Sequence, residues 1–484
     1  MTIFRPPIVR SGTAALNRAL FSKTFNLAAA AVHDNKTISH YRKALQAADE
    51  ILQADRISPV RPHPDLSLAA QGRKCLLLNP KIKVEAPDTW GSVLKDGIEK
   101  KDLSILPYEL KLDYDYWEFR DVLASILPEE LHDEIPSGFN TAGHVAHLNL
   151  RAPYIPYKHI IAQVLLDKNP VIRTVINKVD NVGAESEFRT FQYELLAGPD
   201  DMHVQVNENH CTFEFDYSKV YWNSKLEHEH RRLVNIFQPG QVVCDVMAGI
   251  GPFAVPAGKN RVFVWANDKN PESYKYLVDA IKKNKVSEFV RPFCEDGRDF
   301  ICRAADEVLE ASRKGECAVL PIKVPRSQQQ RSRSKSPTGR KQPPKPKEER
   351  IPIPSTISHF VMNLPASAID FLPSYRGLYH GHEDLFHPAT STRLPMIHVH
   401  CFGPKADDET PALDVCERIS LTLGVRARPA KEGEDPAEAE DRVGEDGVPE
   451  VVVGVHLVRA VAPAKSMYCA SFRLPAKVAF ATRA

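Results

Sequence analysis

The chain has 484 residues, 43% of them hydrophobic and 26% charged, with a formal net charge of +1. At about 100–200 residues per domain this allows two to four globular domains with sizeable cores. No overall basic excess marks a nucleic-acid binder, although an acidic tract near the C-terminus masks basic surface elsewhere. The nine cysteines form no C-x-x-C pair and several sit in apolar, strand-like runs, which argues against a zinc ribbon or disulfide scaffold and for a reducing compartment. No stretch approaches about 18 uninterrupted apolar residues, so no transmembrane helix is expected.

Residues 1–33 carry Arg5, Arg10, Arg18 and Lys23 and no acid before Asp34. That pattern suits a mitochondrial transit peptide and equally a basic first segment of a folded domain. Both hold for a protein shared between the mitochondrial matrix, nucleus and cytoplasm. Residues 1–110 show a mixed pattern with short helical stretches such as 41–54. Residues 111–222 read as α/β: YWEFRDVLASIL is helical, while HVAHLNL and VIRTVINKV alternate as strands. FRTFQYELLAG (188–198) also alternates, placing Arg189, Phe191 and Tyr193 on one face. Such an Arg can donate two hydrogen bonds to a base edge beside stacking aromatics; a plain edge-strand Arg fits equally. Tyr221 and Trp222 can stack on a base or belong to a core.

A helix is predicted over 224–237, with Leu226, His230 and Leu233 on one face. Glu229 sits beside that apolar stripe, where desolvation would raise its pKa toward a useful base; the alternative is a solvated helix charge. His228 and His230, two apart, do not face each other, so no metal site is expected.

The region 241–300 carries the cofactor chemistry. QVVCDV (241–246) reads as a buried strand running into Met247, Ala248, Gly249, Ile250, Gly251 and Pro252, then a helix. This is the first unit of a doubly wound fold. Gly249 and Gly251 let backbone approach a ligand, and Asp245 can orient the turn or hold an ammonium. A second strand, RVFVWA, ends at Asn267 and Asp268, where an acid can accept both ribose hydroxyls. A third, FVRPFC, ends at Glu295, Asp296 and Gly297, where a carboxylate can accept from an adenine amino group. Phe253 stands where a nicotinamide-type G-x-G-x-x-G places its third small residue, so adenosine plus an amino acid fits better than a pyrophosphate. A fourth strand, HFVMN, brings Asn363 to a Pro-stiffened turn. Its amide suits a planar base, though Asn is also a common turn former.

Two segments read as disordered insertions: 324–350, rich in Ser, Arg, Lys and Pro, and 430–450, acidic with Pro and Gly.

Taken together, GHVAHLNLR, IRTVINKV, VYWNSKLEHEHRRL, DVMAGIGPFAVP, NDKNP, EDGRDF, MNLPASA and VHLVRAVAPAKSMYC resemble the archaeal and eukaryotic type of tRNA (guanine-37-N1)-methyltransferase. The resemblance runs in order from about residue 5 to 475. It implies an α/β chain in which a class I Rossmann-like methyltransferase domain (223–484, with the two insertions) follows a tRNA-recognition domain (1–110) and an α/β RNA-binding domain (111–222). It implies a monomer acting on tRNA, with S-adenosylmethionine as cofactor and methyl transfer to N1 of the guanine 3′ of the anticodon. By position, Glu229 resembles the family's general base, Arg189 its guanine O6 contact, Asn363 a base-orienting residue bordering the cofactor, and Tyr221 the aromatic near the flipped guanosine. His230, Asp268, Lys269, Asp296 and Gly297 match the cofactor contacts. Ala464 departs from the family's usual Asn. Rival readings are the aminocarboxypropyl transferase of wybutosine synthesis and a non-catalytic tRNA-binding protein. A third makes the chain a splicing-type interaction protein working through the Ser/Arg tract; deleting 324–350 would then abolish function.

Overall fold

The computed structural model describes residues 4–10, 15–136, 138–179, 188, 190–321, 348–439, 442–443 and 449–483. The chain divides into two compact units.

The first unit holds Met1–Asn140, Val145–Lys178 and Glu194–Asp200. Its first sheet is antiparallel, in the spatial order Val60–Pro62, Lys74–Leu77, Lys23–Val32, Leu103–Leu112. Side chains alternate across a strand, so Lys23–Val32 serves two cores. Ala28, Ala30 and Val32 face a cluster with Tyr41, Leu45 and Leu94. Leu27 and Ala29 face a second cluster with Trp117, Leu123, Ile161 and Val175. That second cluster continues to the helix Lys158–Lys168 and to the parallel strands Val145–Leu148 and Thr174–Lys178. The residue 110/111 border expected from sequence falls inside the strand Leu103–Leu112.

The second unit holds Thr141–His144, Val179–Tyr193 and Asp201–Ala484. It opens with a hairpin of β1 (His203–Glu208) and β2 (Cys211–Asp216). Asn209 and His210 make its turn with φ of 47° and 61°, the two-residue geometry that matches strand twist. Hydrogen bonds between Thr212 and Asn284 tie this hairpin to the rest of the unit. Then follow α1 (Glu227–Val234), β3 (Val242–Asp245), α2 (Ala254–Lys259), β4 (Phe263–Asn267), α3 (Pro271–Asn284), β5 (Val290–Phe293) and α4 (Gly297–Arg313). A second hairpin pairs β6 (Cys317–Pro321) with β7 (Glu348–Pro352). The chain continues with β8 (His359–Met362), β9 (Met396–Pro404), α5 (Thr410–Leu423), β10 (Arg426–Pro429), β11 (Pro449–Ala462) and β12 (Lys465–Arg473).

The large sheet runs β5-β4-β3-β8-β9-β12-β11-β10. The run β5-β4-β3-β8-β9 is parallel and β12 is antiparallel to β9. β3 is flanked by β4 on one side and β8 on the other. The connections diverge there, leaving the crevice in which open α/β sheets bind ligands. All four residues of β3 and all five of β4 are buried, as strands covered on both faces require.

Regular structure reaches into both stretches expected to be disordered. β7 claims Glu348, Glu349 and Arg350 by pairing with Leu320 and its neighbours. Residues 322–347 lie outside the described residues. Turns form at residues 432–433 and 436–438. The cause is Arg428, whose guanidinium bonds Glu434 through two nitrogens at 2.7 and 2.8 Å and Glu450 at 2.7 Å. A bidentate pair of this kind orders an acidic segment that composition alone leaves unsupported.

Candidate active site

A cavity of about 340 Å³ opens at the carboxyl ends of β3, β4, β5 and β8. Its wall starts from the turn after β3. Gly249 has φ +57° and Gly251 φ +94°, a region that side chains disfavour. The two glycines differ in purpose. A Cβ on Gly249 would meet no protein atom within 4 Å, and Gly249 borders the cavity. A Cβ on Gly251 would stand 2.7 Å from Leu277 Cδ1 and 2.9 Å from Val255 Cγ2, so Gly251 serves helix packing behind the wall.

The acids at the strand ends have distinct environments. Asp268 accepts the Gly249 N–H at 2.7 Å and the Asn270 N–H at 2.9 Å, clamping the glycine turn to the end of β4. Burial raises its pKa, and those two N–H groups hold it partly down. Asp296 caps α4 by accepting the Arg298 N–H at 2.9 Å and receives Lys269 Nζ at 3.1 Å. The Arg298 N–H foremost, then Lys269, draws its pKa below the usual range. Asp268, Lys269, Asp296 and Gly297 all line the cavity. Asp245 does not. It is 0% exposed, and neither carboxylate oxygen has a hydrogen-bond partner. Burial, followed by the nearby Asp268 charge, pushes it up to about 8.

Leu226, His230 and Leu233 are buried on one face, as their spacing predicts. The segment is a 3-10 turn over Ser224–Leu226 followed by α1, which ends at Val234. His228 is exposed and contacts Arg231, whereas His230 points inward and lines the cavity. His230 Nδ1 pairs with buried Glu208 from β1, and its ring packs edge-on against Phe253, with centroids 4.7 Å apart.

Glu229 is 4% exposed and lies behind the cavity wall. Arg232 donates to both of its oxygens, at 2.7 and 2.9 Å, and His400 Nε2 from β9 stands 2.8 Å from Oε1. The sequence-based expectation of a raised pKa is corrected here. Burial does push the carboxyl up, but the Arg232 and His400 contacts outweigh it and hold Glu229 well below the usual carboxylate range. Burial would lower His400, yet Cys469 and Glu229 beside it hold it up at about 10. Glu229, His400 and Cys469 present ligand-type atoms within 4.8 Å of one another. Arg232 already supplies the positive charge that this carboxylate faces, so these atoms make a hydrogen-bonded cluster of the protein itself.

Tyr221 and Asn363 line the cavity. Trp222 borders it too, with its buried ring packed on Phe213 and Phe215 at 5.6 and 5.5 Å. The turn after Asn363 is pinned by Phe402 N–H donating to the Pro365 carbonyl at 3.1 Å. The predicted strand over 188–198 begins only at Tyr193, and Phe191 turns to pack on Tyr217 at 5.3 Å. Arg189 lies outside the described residues; Phe188 borders the cavity.

A family model described as "TRM5/TYW2 methyltransferase domain" matches residues 204–320, and one described as "TYW2 N-terminal domain" matches residues 119–201. A tRNA (guanine(37)-N(1))-methyltransferase of Neurospora crassa is 64% identical over 483 residues, covering 100% of this chain and 96% of the relative. The chain belongs to the tRNA (guanine(37)-N(1))-methyltransferase family. The crystal structure of Trm5b from Pyrococcus abyssi superposes with a TM-score of 0.55 at 21% identity, covering 93% of this chain and 99% of that one. The complex structure of aTrm5 and tRNALeu gives 0.55 at 18%, again covering 93% and 99%. These show that the methyltransferase has the expected fold: a Rossmann-like domain preceded by α/β elements.

Three polar residues of this methyltransferase site escaped sequence reasoning. Arg232 was readable, lying three residues from Glu229 on one helix face. Glu208 is 22 residues from His230, and His400 is 171 from Glu229; no local pattern joins them.

Proposed function

We infer that this chain transfers a methyl group from S-adenosylmethionine to N1 of guanosine 37 in tRNA. The observation that carries the reading is identity over essentially the whole chain with relatives bearing that activity in their names. The residues present fit the cofactor. Gly249 leaves a cradle that a Cβ would fill, and Asp268, the Lys269–Asp296 pair and His230 offer partners for ribose, adenine and an amino-acid end. The bound cofactor supplies an electrophilic methyl on a sulfonium. The protein's part is to orient guanine, exclude water and take the N1 proton. Tyr221 and Asn363, which line the cavity, are the proposed stacking and orienting contacts for a flipped base, which leaves a loop at a cost of about a few kcal/mol. Arg189 is the proposed donor to guanine O6, where charge builds as N1 loses its proton. Glu229 is the proposed general base.

The test is a single-turnover assay with S-adenosylmethionine labelled either at the methyl or in the aminocarboxypropyl chain. The substrates are tRNA transcripts with guanosine or adenosine at position 37. Methyl label should enter only the guanosine transcript, and Glu229→Gln should slow it at least ~100-fold. Entry of the aminocarboxypropyl label would establish the wybutosine-type transfer instead, and no entry of either label a binding role.

A further inference from the structure

His400 is 0% exposed on β9. Its Nδ1 lies 3.2 Å from the Met362 carbonyl oxygen and its Nε2 lies 2.8 Å from Glu229 Oε1. A carbonyl only accepts, so Nδ1 carries a hydrogen in either charge state of the ring. The nitrogen that titrates is therefore Nε2, and it faces the Glu229 carboxylate. Two arrangements satisfy the 2.8 Å contact. In one an imidazolium donates to a carboxylate; in the other a protonated carboxyl donates to a neutral ring. Each holds one proton between the two residues. With none, a lone pair would face a carboxylate oxygen across that distance.

Building on the reading of Glu229 as base, we propose that Glu229 and His400 act as one proton-holding pair that must release its proton before Glu229 can accept the proton of guanine N1. His400 is thus a positioning residue acting through Glu229. The cycle balances. The resting pair gives its proton to water. Guanine N1 then attacks the methyl carbon, the carbon–sulfur bond breaks with its electrons going to sulfur, and the N1 proton passes to Glu229. Shared with Nε2, that proton restores the resting pair.

The groups around the pair set when release occurs. Arg232 lies on both Glu229 oxygens, and half-exposed His456 has Nε2 3.9 Å from Oε2. Cys469 faces His400 from β12, while His398 on β9 and Asp245 on β3 act at longer range. Positive neighbours promote release from the ring, and the Glu229 carboxylate opposes it.

The test is the pH dependence of single-turnover methyl transfer at saturating cofactor and tRNA. The wild-type rate should rise with pH. His400→Gln keeps a donor to Glu229 but cannot titrate, so the rise should vanish or move down by at least ~1 pH unit, with KM for S-adenosylmethionine within ~2-fold. A wild-type profile in this variant overturns the proposal. Should the variant not fold, ¹⁵N-histidine NMR of wild type and Glu229→Gln decides. One Nδ1–H imidazole should titrate at least ~1 pH unit lower in Glu229→Gln, and its absence overturns the proposal. If Glu229→Gln methylates at the wild-type rate, it is the base assignment that fails. Loss of rate in that variant with an unchanged His400→Gln profile removes the pair alone.

Discussion

Asp245→Asn should stabilise the ligand-free protein at neutral pH. The carboxyl of Asp245 is fully enclosed, has no hydrogen-bond partner and is pushed up to about 8. In the unfolded chain the same carboxyl titrates near 3.9, so at pH 7 unfolding lets it ionise over about three decades of proton concentration; at about 1.4 kcal/mol per decade, this favours the unfolded chain by about 4 kcal/mol. An Asn amide removes that drive but leaves its own unpaired groups, a cost of about 1–3 kcal/mol. The net gain is about 1–3 kcal/mol at pH 7. The sign with pH follows from a raised folded-state pKa. Stability is fullest below pH 4 and is lost as pH rises toward 8, so at pH 5 the ionisation part falls to about 1.5 kcal/mol. Denaturant unfolding of wild type and variant without cofactor, followed at Trp265 fluorescence in β4, measures both quantities. A variant less stable at both pH values, or a difference that does not shrink from pH 7 to pH 5, refutes the reasoning.

Glu208→Gln removes the carboxylate partner of His230; KM for S-adenosylmethionine should rise about 10- to 150-fold, from a charge-assisted hydrogen bond of about 1.5–3 kcal/mol, with the single-turnover rate at saturation nearly unchanged. Gly249→Ala should cost about 1–2 kcal/mol of stability in a thermal melt, from the positive φ alone, and weaken cofactor binding measured by calorimetry, because its methyl enters the cavity. Gly251→Ala adds a clash with Leu277 and Val255 to the same kind of backbone strain and should destabilise the unit by more, about 2–5 kcal/mol, in a thermal melt.

The parts of this site that could be read from sequence share one property: they are local. A buried strand, a glycine turn and an acid at the next strand end lie within about 30 residues, a unit whose physics repeats in every doubly wound fold. Gly249, Asp268 and Asp296 are placed on one sheet edge by that pattern alone. The helix face of Leu226, His230 and Leu233 was legible for the same reason. Charge state was not. Glu229 beside an apolar stripe reads as a desolvated acid; Arg232, three residues along the same helix, and then His400, brought in by the fold, reverse the direction. The acidic run after residue 430 reads as disorder until Arg428 meets Glu434 and Glu450. Arg189, central to the resemblance, lies outside the described residues, so its place rests on position alone.

The β6–β7 hairpin sets Pro321 opposite Glu348 in register. The point where the chain leaves β6 and the point where it enters β7 are therefore held side by side. Closing a loop twice as long costs only about 0.6 kcal/mol more. For the experimenter the same clamp is a ready splice point, where an epitope or a fluorescent reporter can be carried without threading any strand of the large sheet.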